Sequence, residues 1–301
     1  MPPLSPLKPT SDLRRYAWLS IGAAIATILL KGAAWHLTGS VGLLSDALES
    51  FVNLAGALMA LWMLSIAMQP ADQKHPYGHS KAEYFSSGFE GLLILAAALS
   101  IGYAAWGRLL NPQPLDDVGI GLTVSVVAAL LNLGVSRVLM RASKAHASIT
   151  LEADAHHLMT DVWTSVGVIA GVGLAGLTGV DWLDPVVAML VAANIVWTGW
   201  QLIRRSTAGL MDSSLSEEDL AKVKRILQQF QTVEVDFHSL RTRQAGSHMF
   251  IMFHLLAPGA WSVKKAHDLA DQIELSLNIE FPLAHVTIHV EPIEASREET
   301  A

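Results

Sequence analysis

The chain has 301 residues, of which 51% are hydrophobic and only 16% are charged, and its formal net charge is -7. Soluble domains usually carry about 25% charged residues, so this composition excludes an ordinary soluble enzyme and a disordered protein. The negative charge leaves no basic surface for a phosphate backbone, which excludes a nucleic-acid partner. There is no cysteine, which excludes disulfides and thiolate metal sites, but there are 12 histidines.

Six apolar segments are long enough to cross about 30 Å of hydrocarbon, which takes about 20 helical residues. They are predicted at 14–36, 41–67, 84–108, 118–141, 151–179 and 183–204. Nearly all Lys and Arg residues of the first 205 positions fall on the side of the membrane that also holds both termini. Both termini are therefore expected in the cytoplasm, with the helices in the cytoplasmic (inner) membrane.

Charge divides the chain into two parts. Residues 1–205 hold 13 of the 27 acidic residues, and the last third holds the other 14. We therefore expect a membrane α-helical protein of six transmembrane helices, followed by a soluble α/β domain. The predicted domains are a cytoplasmic N-terminal segment (1–13), a transmembrane domain (14–205), a cytoplasmic metal-binding and dimerisation domain (206–293) and a flexible tail (294–301).

The last third predicts alternating helices and strands. Ser216 is a good N-cap, followed by acidic residues and an amphipathic helix to Phe230. Residues 232–242 and 249–256 alternate as half-buried strands, a second helix runs from 262 to 279, and 285–291 reads as the last strand. This order predicts a small α/β layer domain with an antiparallel sheet.

Polar residues inside two membrane segments point to an ion site. An ionisable residue deep in a spanning helix is costly and therefore indicates function. Glu49 and Asn53 lie four residues apart in the second segment, as do His157 and Asp161 in the fifth, so each pair shares a helix face. Four such ligands suit Zn(II), Fe(II), Mn(II) or Co(II) better than Na⁺ or Mg²⁺. The alternative is that these groups only hold helices together.

Three further polar residues flank these pairs. Asp46, Asp154 and His156 are interpreted as residues that hold the ligands in place. The alternatives are a position at the membrane interface or on the path of the ion for the two carboxylates, and helix packing for His156. Histidine titrates near neutrality and a bound metal expels its proton. Metal and protons therefore compete for the same groups, which suggests an exchange of one for the other across the membrane.

Histidines outside the membrane segments form two more groups. Asp72, His75 and His79 lie in one loop and either bind a metal or are simply solvated. In the last third, candidate ligands on or beside the predicted strands and helix are His238, His254, His267, His289 and Glu291. Single strand histidines are usually surface residues, but this density favours a metal site in the soluble domain.

Five stretches together carry a family resemblance. They are GSVGLLSDALES (39–50), QPADQKHPYGHSKAE (69–83), EADAHHLMTD (152–161), HSLRTRQAG (238–246) and IHVEP (288–292). At these residues the sequence resembles the cation diffusion facilitator family of divalent-metal/proton antiporters, in its bacterial zinc/iron-type branch. The resemblance covers residues 14–292, and the HPYGHSKAE and HHLMTD stretches make it specific.

The resemblance implies a homodimeric secondary transporter, not an enzyme, that exports cytosolic metal against proton entry. It implies six transmembrane helices per protomer, within membrane lipid, and a cytoplasmic ferredoxin-like domain. Carried over by position, it assigns the transport site, the loop site and a binuclear cytoplasmic site to the three groups of residues given above. Lys81 and Asp212 match a pair that locks the two parts of the protein at the dimer interface.

The sequence departs from the family pattern at the transport site. The second-segment pair is usually Asp or His followed by Asp, whereas here it is Glu49 and Asn53. Asn53 offers only a neutral carbonyl oxygen, which favours Mn(II), Fe(II) or Co(II) relative to Zn(II). In the soluble domain Val290 stands where a polar ligand is frequent, and Glu291 where Asp is usual.

The sequence predicts export of a divalent metal, with zinc or iron first, and no organic cofactor. Cadmium is a further metal that the sites suit. The alternatives are a relative selective for manganese, cobalt or nickel, a membrane metal sensor that does not transport, and an intramembrane metalloenzyme. The chain contains no HExxH motif, which argues against the last alternative.

Overall fold

The first two thirds of the chain form six long helices. A computed structural model describes residues 12–38, 41–110, 118–178 and 182–294. The helices are α1 (Arg14–Thr38), α2 (Val41–Ala67), α3 (Ala82–Leu110), α4 (Val118–His146), α5 (Ile149–Thr178) and α6 (Leu183–Leu210). The predicted architecture of six long apolar helices followed by a small α/β domain is confirmed, and α4 and α6 extend further than predicted, to His146 and Leu210.

Five of the six helices are long and apolar enough to cross a membrane over their described residues. In α5 most side chains of the apolar second half lie outside the described part, and the first half carries Glu152, Asp154 and Asp161 as well as two histidines. Carboxylates are rare in membrane helices unless they face the interior of a bundle. Helix α5 therefore brings carboxylates and imidazoles into the bundle, where Asp154 and His157 are buried.

The bundle presents apolar side chains outward and polar side chains inward. Its exposed surface includes Trp18, Trp62, Tyr103 and Trp197. Its buried positions include Asn53, Glu90, Asn132, Asp154 and His157, together with alanines and serines that allow the helices to approach closely. This arrangement suits a protein surrounded by lipid.

Hydrogen bonds join helix α5 to two of its neighbours, α3 and α4. The carboxylate of Glu83, in the first turn of α3, accepts hydrogen bonds from the hydroxyl of Ser148 and from the backbone N–H of Thr150, where α5 begins. Ser136 on α4 donates to the carbonyl of Ala155 at 2.8 Å. These bonds fix the position of the α5 residues that follow.

The C-terminal unit consists of α7 (Glu217–Phe230), β1 (Asp236–Ala245), β2 (His248–Ala257), α8 (Val263–Glu280) and β3 (Ala284–Pro292). Each helix begins with a serine N-cap. Ser216 accepts from the backbone N–H of Asp219, and Ser262 accepts from that of Lys265. The contacts divide the chain between Thr207 and Ala208, and this unit has its own core, with Ile251, Phe253, Leu255, Ile273 and Leu277 nearly inaccessible.

The sheet is mixed, so the predicted antiparallel sheet is wrong in one of its two strand pairs. Strand β2 lies between β1, its antiparallel neighbour, and β3, its parallel neighbour. Helix α8 connects β2 to β3, and such a crossover returns the chain in the same direction. The first strand also begins at Asp236 instead of residue 232, because the hydroxyl of Thr232 accepts from the N–H groups of Glu234 and Val235 and forms a turn.

Candidate metal sites

The membrane helices bring three of the predicted transport-site residues into contact. Nε2 of His157 on α5 lies 2.6 Å from Oδ1 of Asn53 on α2. The amide nitrogen of Asn53 donates a hydrogen bond to Oδ2 of Asp161, one turn after His157 on α5. Asn53 and His157 are each 4% exposed. A half-buried carboxylate, a buried imidazole and a buried amide group therefore meet between α2 and α5, which is a donor set that binds divalent transition metals.

The fourth predicted ligand is placed only by its helix. Glu49 and Asp46 lie on α2, and their side chains are outside the described part of the structure. Glu49 precedes Asn53 by one turn, so both positions share a face of α2. Whether the carboxylate of Glu49 joins the cluster stays a prediction.

Two buried polar residues that the sequence analysis did not select also lie at this cluster. Asn132 on α4 donates to Oδ2 of Asp161 at 2.9 Å and is 2% exposed. Glu90 on α3 is fully buried, and its Oε2 lies 3.4 Å from Nδ1 of His157. Glu90 could have been selected from the sequence, because it is a charged residue inside the predicted third membrane segment and such residues indicate function.

The flanking residues have separate surroundings. Asp154 is buried and accepts a hydrogen bond from the hydroxyl of Ser20 on α1 at 2.9 Å. His156 is half-buried and lies 4.0 Å from Glu152, which also forms an ion pair with Arg205. Asp154 therefore faces α1 inside the bundle, and His156 lies beside an ion pair near the end of α6.

The loop between α2 and α3 gathers the second predicted group. Oδ1 of Asp72 accepts hydrogen bonds from the backbone N–H groups of Lys74 and His75. The carboxylate lies 3.2 Å from Nδ1 of His75 and 3.6 Å from Nε2 of His79. The hydrogen bond from the His75 backbone holds the pKa of Asp72 below its usual value. A carboxylate that stays ionised and two imidazoles within reach of one ion suit a metal, although the group is largely exposed.

A row of histidines crosses the sheet of the C-terminal unit. His238 on β1 pairs with His254 on β2, which pairs with His289 on β3. The carboxylate of Glu291 lies 2.9 Å from His238, 3.0 Å from His254 and 3.3 Å from His289. The hydrogen bond from His238, with the neighbouring imidazoles, lowers the pKa of Glu291. One carboxylate therefore lies within contact distance of three imidazoles on a single face of the sheet.

A bulge in β1 makes this row possible. The register shifts by one residue between His238 and Arg241, and Ser239 has a φ of 52°. Without the extra residue, alternation from Arg241 would turn His238 to the helix-covered face of the sheet. The bulge turns it to the face of His254.

The structure does not bring His267 into this row. It lies on α8, is largely exposed and is 3.6 Å from Asp271, one turn further along the same helix. The core side chains show that α8 packs on the opposite face of the sheet from the histidine row. Lys81 lies just before α3 in one unit, and Asp212, which accepts a hydrogen bond from Arg243 at 2.9 Å, lies in the other. Their pairing stays a prediction.

Comparisons with known proteins agree along almost the whole chain. The cation efflux transmembrane domain matches residues 17–211, and the cation efflux protein cytoplasmic domain matches residues 215–293. An uncharacterised transporter of Synechocystis sp. is 53% identical over 281 residues, covering 93% of this chain and 91% of that protein. The cation-efflux pump FieF of Shewanella oneidensis is 33% identical over 275 residues, covering 91% and 92%.

The similar solved structures include an isolated C-terminal domain. The metal-bound C-terminal domain of the CzcD transporter from Thermotoga maritima is 30% identical, covers 26% of this chain and 95% of that one, and has a TM-score of 0.24.

A bundle of lipid-facing helices with a buried polar cluster, followed by a small α/β domain, defines a multi-pass membrane transporter. The chain belongs to the cation efflux family, and the predicted membership of the cation diffusion facilitators is confirmed.

Proposed function

We propose that the protein exports a divalent transition-metal ion from the cytoplasm across the inner membrane in exchange for protons, with zinc or iron as the leading cargo. The observation that carries the proposal is the contact of Asn53, His157 and Asp161 between α2 and α5. Glu49 would complete the ligand set from the preceding turn of α2. Relatives that are named cation-efflux pumps, at 31–33% identity over about nine tenths of the chain, support the same reading.

Proton exchange follows from the chemistry of these ligands. A metal binds a deprotonated imidazole and ionised carboxylates, so metal and protons compete for the same atoms. Binding the metal on one side of the membrane releases protons there, and protons that enter from the other side expel it. The protein needs no organic cofactor for this cycle, and the metal is its cargo.

The other two metal groups would act on the cytoplasmic side. We propose that the loop site of Asp72, His75 and His79 and the site of His238, His254, His289 and Glu291 bind cytosolic metal. In a homodimer, His267 would serve a neighbouring site, because it lies on the opposite face of the sheet from the histidine row. Lys81 and Asp212 would join the membrane and soluble parts at the dimer interface, with both termini in the cytoplasm.

Two other candidate functions remain within this class of site. The amide ligand of Asn53 favours oxygen-preferring metals, so an exporter selective for manganese, cobalt or nickel is the nearest alternative. A membrane sensor that binds metal without moving it is the second. The relatives of this chain that are named cation-efflux pumps favour a transporter over a sensor.

Reconstituted protein tests the proposal. In liposomes that contain a metal-sensitive dye and a pH-sensitive dye, we expect Zn(II), Fe(II), Mn(II) or Co(II), offered singly, to accumulate while protons move in the opposite direction. Empty liposomes and liposomes with a dissipated pH gradient are the controls. Metal movement without proton movement would contradict the exchange, and metal binding without movement would favour the sensor.

Removing ligands from the soluble domain provides a separate test. In an Asp161→Asn background, which removes the contribution of the membrane site, we expect His254→Ala or Glu291→Ala to weaken Zn(II) binding by at least about tenfold, because each side chain contacts the shared centre. Titration of the full-length protein in detergent against a zinc chelator measures the loss. His146→Ala, on α4, is the control for the removal of a histidine elsewhere. Unchanged Zn(II) binding in the His254→Ala and Glu291→Ala variants would refute this site.

A further inference from the structure

Glu90 is a buried acidic residue that the proposed transport site does not use. It lies in α3 and is 0% exposed. Neither of its carboxylate oxygens has a hydrogen-bond partner among the described residues. An unpartnered carboxylate inside a membrane bundle costs several kcal/mol in general, so its presence calls for a functional partner.

The imidazole of His157 is the group that faces this carboxylate. Oε2 of Glu90 lies 3.4 Å from Nδ1 of His157, and Nδ1 also lacks a hydrogen-bond partner in the described structure. The other ring nitrogen, Nε2, lies 2.6 Å from Oδ1 of Asn53. The imidazole therefore stands between Glu90 on one side and the predicted metal ligands on the other.

The backbone of α2 leaves a space for the Glu90 carboxyl group. A Cβ atom added at Gly56 would lie 2.6 Å from Oε1 and 2.9 Å from Oε2 of Glu90, closer than side chains approach one another. Gly56 follows Asn53 by three residues, so both positions share a face of α2. Because Gly56 has no side chain, the carboxyl group of Glu90 on α3 lies directly against the backbone of α2, one turn from the ligand cluster.

Metal-bound histidines almost always donate their second ring N–H to a carboxylate, a carbonyl or a water, which fixes the tautomer and strengthens the metal bond. In the structure the Nε2–H group of His157 can donate to Oδ1 of Asn53. When a metal binds to Nε2, the remaining ring proton must reside on Nδ1, where it faces Glu90. No other described side chain forms an ion pair or a hydrogen bond with Nδ1.

We propose that Glu90 is a positioning residue of the transport site, which accepts the Nδ1–H hydrogen bond of His157 when the transported metal occupies Nε2. This inference rests on the proposed function, because it assumes that His157 binds the transported ion.

Three variants test the role by separating the apparent KM for metal from kcat in liposomes loaded with a zinc-sensitive dye. Glu90→Leu removes the acceptor, and we expect the KM for Zn(II) to rise by about 10–100-fold. Glu90→Gln keeps an acceptor oxygen, and we expect it to retain the KM to within about tenfold. Gly56→Ala displaces the carboxyl group of an unchanged Glu90, and we expect it to raise the KM as Glu90→Leu does.

Gly102→Ala is the matched control, because Gly102 also lies on α3 and an added Cβ would meet nothing within 4 Å. It should retain the parental KM. Thermal unfolding in detergent shows whether each variant folds. A fall in melting temperature with a parental KM would assign Glu90 a purely structural role and overturn the inference.

The remaining outcomes are distinct. If the parent transports Zn(II) and Glu90→Leu has its KM, the inference fails and the proposed function stands. If Glu90→Gln is as damaging as Glu90→Leu, Glu90 contacts the metal itself and the positioning role is wrong. If the parent moves no metal, the proposed function fails. In that case Zn(II) binding is measured by titration in variants that also carry Glu291→Ala, which weakens the site of the soluble domain. Equal Zn(II) affinity in the Glu90→Leu variant and its parent then overturns the inference.

Discussion

Replacing Asp161 by asparagine is expected to abolish metal flux and leave the bundle folded. Oδ2 of Asp161 accepts hydrogen bonds from the amide groups of Asn53 and Asn132. The amide oxygen of an asparagine at position 161 can accept the same bonds, so the variant removes the charge and preserves the packing. We expect a loss of at least about 100-fold, the upper end of what even an outer partner of a metal ligand costs.

Flux in the reconstituted system measures this effect, and the melting temperature in detergent checks the fold. Asp161→Ala should abolish flux as well, but it also leaves two buried amide groups without an acceptor, at about 1–3 kcal/mol each. Asn194→Ala, on the exposed surface of α6, is the control that removes a polar group without touching the cluster. Parental flux in Asp161→Asn would remove Asp161 from the site.

The membrane part of the fold was predictable because lipid imposes a simple rule. A segment that crosses the bilayer must satisfy its backbone internally and present apolar side chains outward, so hydropathy alone locates α1 to α6 to within a few residues. Pairing of His157 with Asp161 followed from helix periodicity. Their contact with Asn53 depends on the packing of α2 against α5. The residue spacing within each helix was the only sequence evidence for this contact.

Glu90 and Asn132 show what periodicity misses. The polar residue four positions away is a serine in each case, Ser86 and Ser136, and not a carboxylate, amide or imidazole as in the pairs that pointed to the other two helices. Their contacts with His157 and Asp161 arise between helices, and no one-dimensional pattern encodes these contacts. A rule that treats every intramembrane carboxylate as functional would have selected Glu90 but not Asn132.

The soluble domain shows the same limit in a different form. The strands were predictable from alternation, but the bulge at Ser239 reverses the face of His238, and its positive φ belongs to a serine, which gives no signal in the sequence. The parallel pairing of β2 and β3 depends on the crossover through α8. Histidine density predicted a metal site, whereas the common centre on Glu291 is a property of strand register.

Asn53→Asp is expected to tighten metal binding and to destabilise the empty protein. The amide nitrogen of Asn53 now donates to Oδ2 of Asp161. A carboxylate at position 53 would replace this donor by a second acceptor, and two buried carboxylate oxygens at hydrogen-bond distance cannot both stay ionised without a cation between them. Metal relieves this repulsion, and a site with one more ligand charge binds a dication more tightly, by about tenfold or more.

The measurement is the melting temperature with and without Zn(II), beside Zn(II) flux. We expect the variant to unfold at a lower temperature than its parent without metal. We also expect metal to raise its melting temperature more, since a ligand stabilises the folded state by RT ln(1 + [L]/Kd), which grows as the affinity rises. Asn132→Asp is the matched comparison, because Asn132 also donates to Asp161 but has no bond to His157. A carboxylate there should destabilise the empty protein and tighten metal binding less. If Asn53→Asp raises zinc flux as well as affinity, the native asparagine disfavours zinc; if neither changes, Asn53 holds Asp161 in place and does not contact the ion.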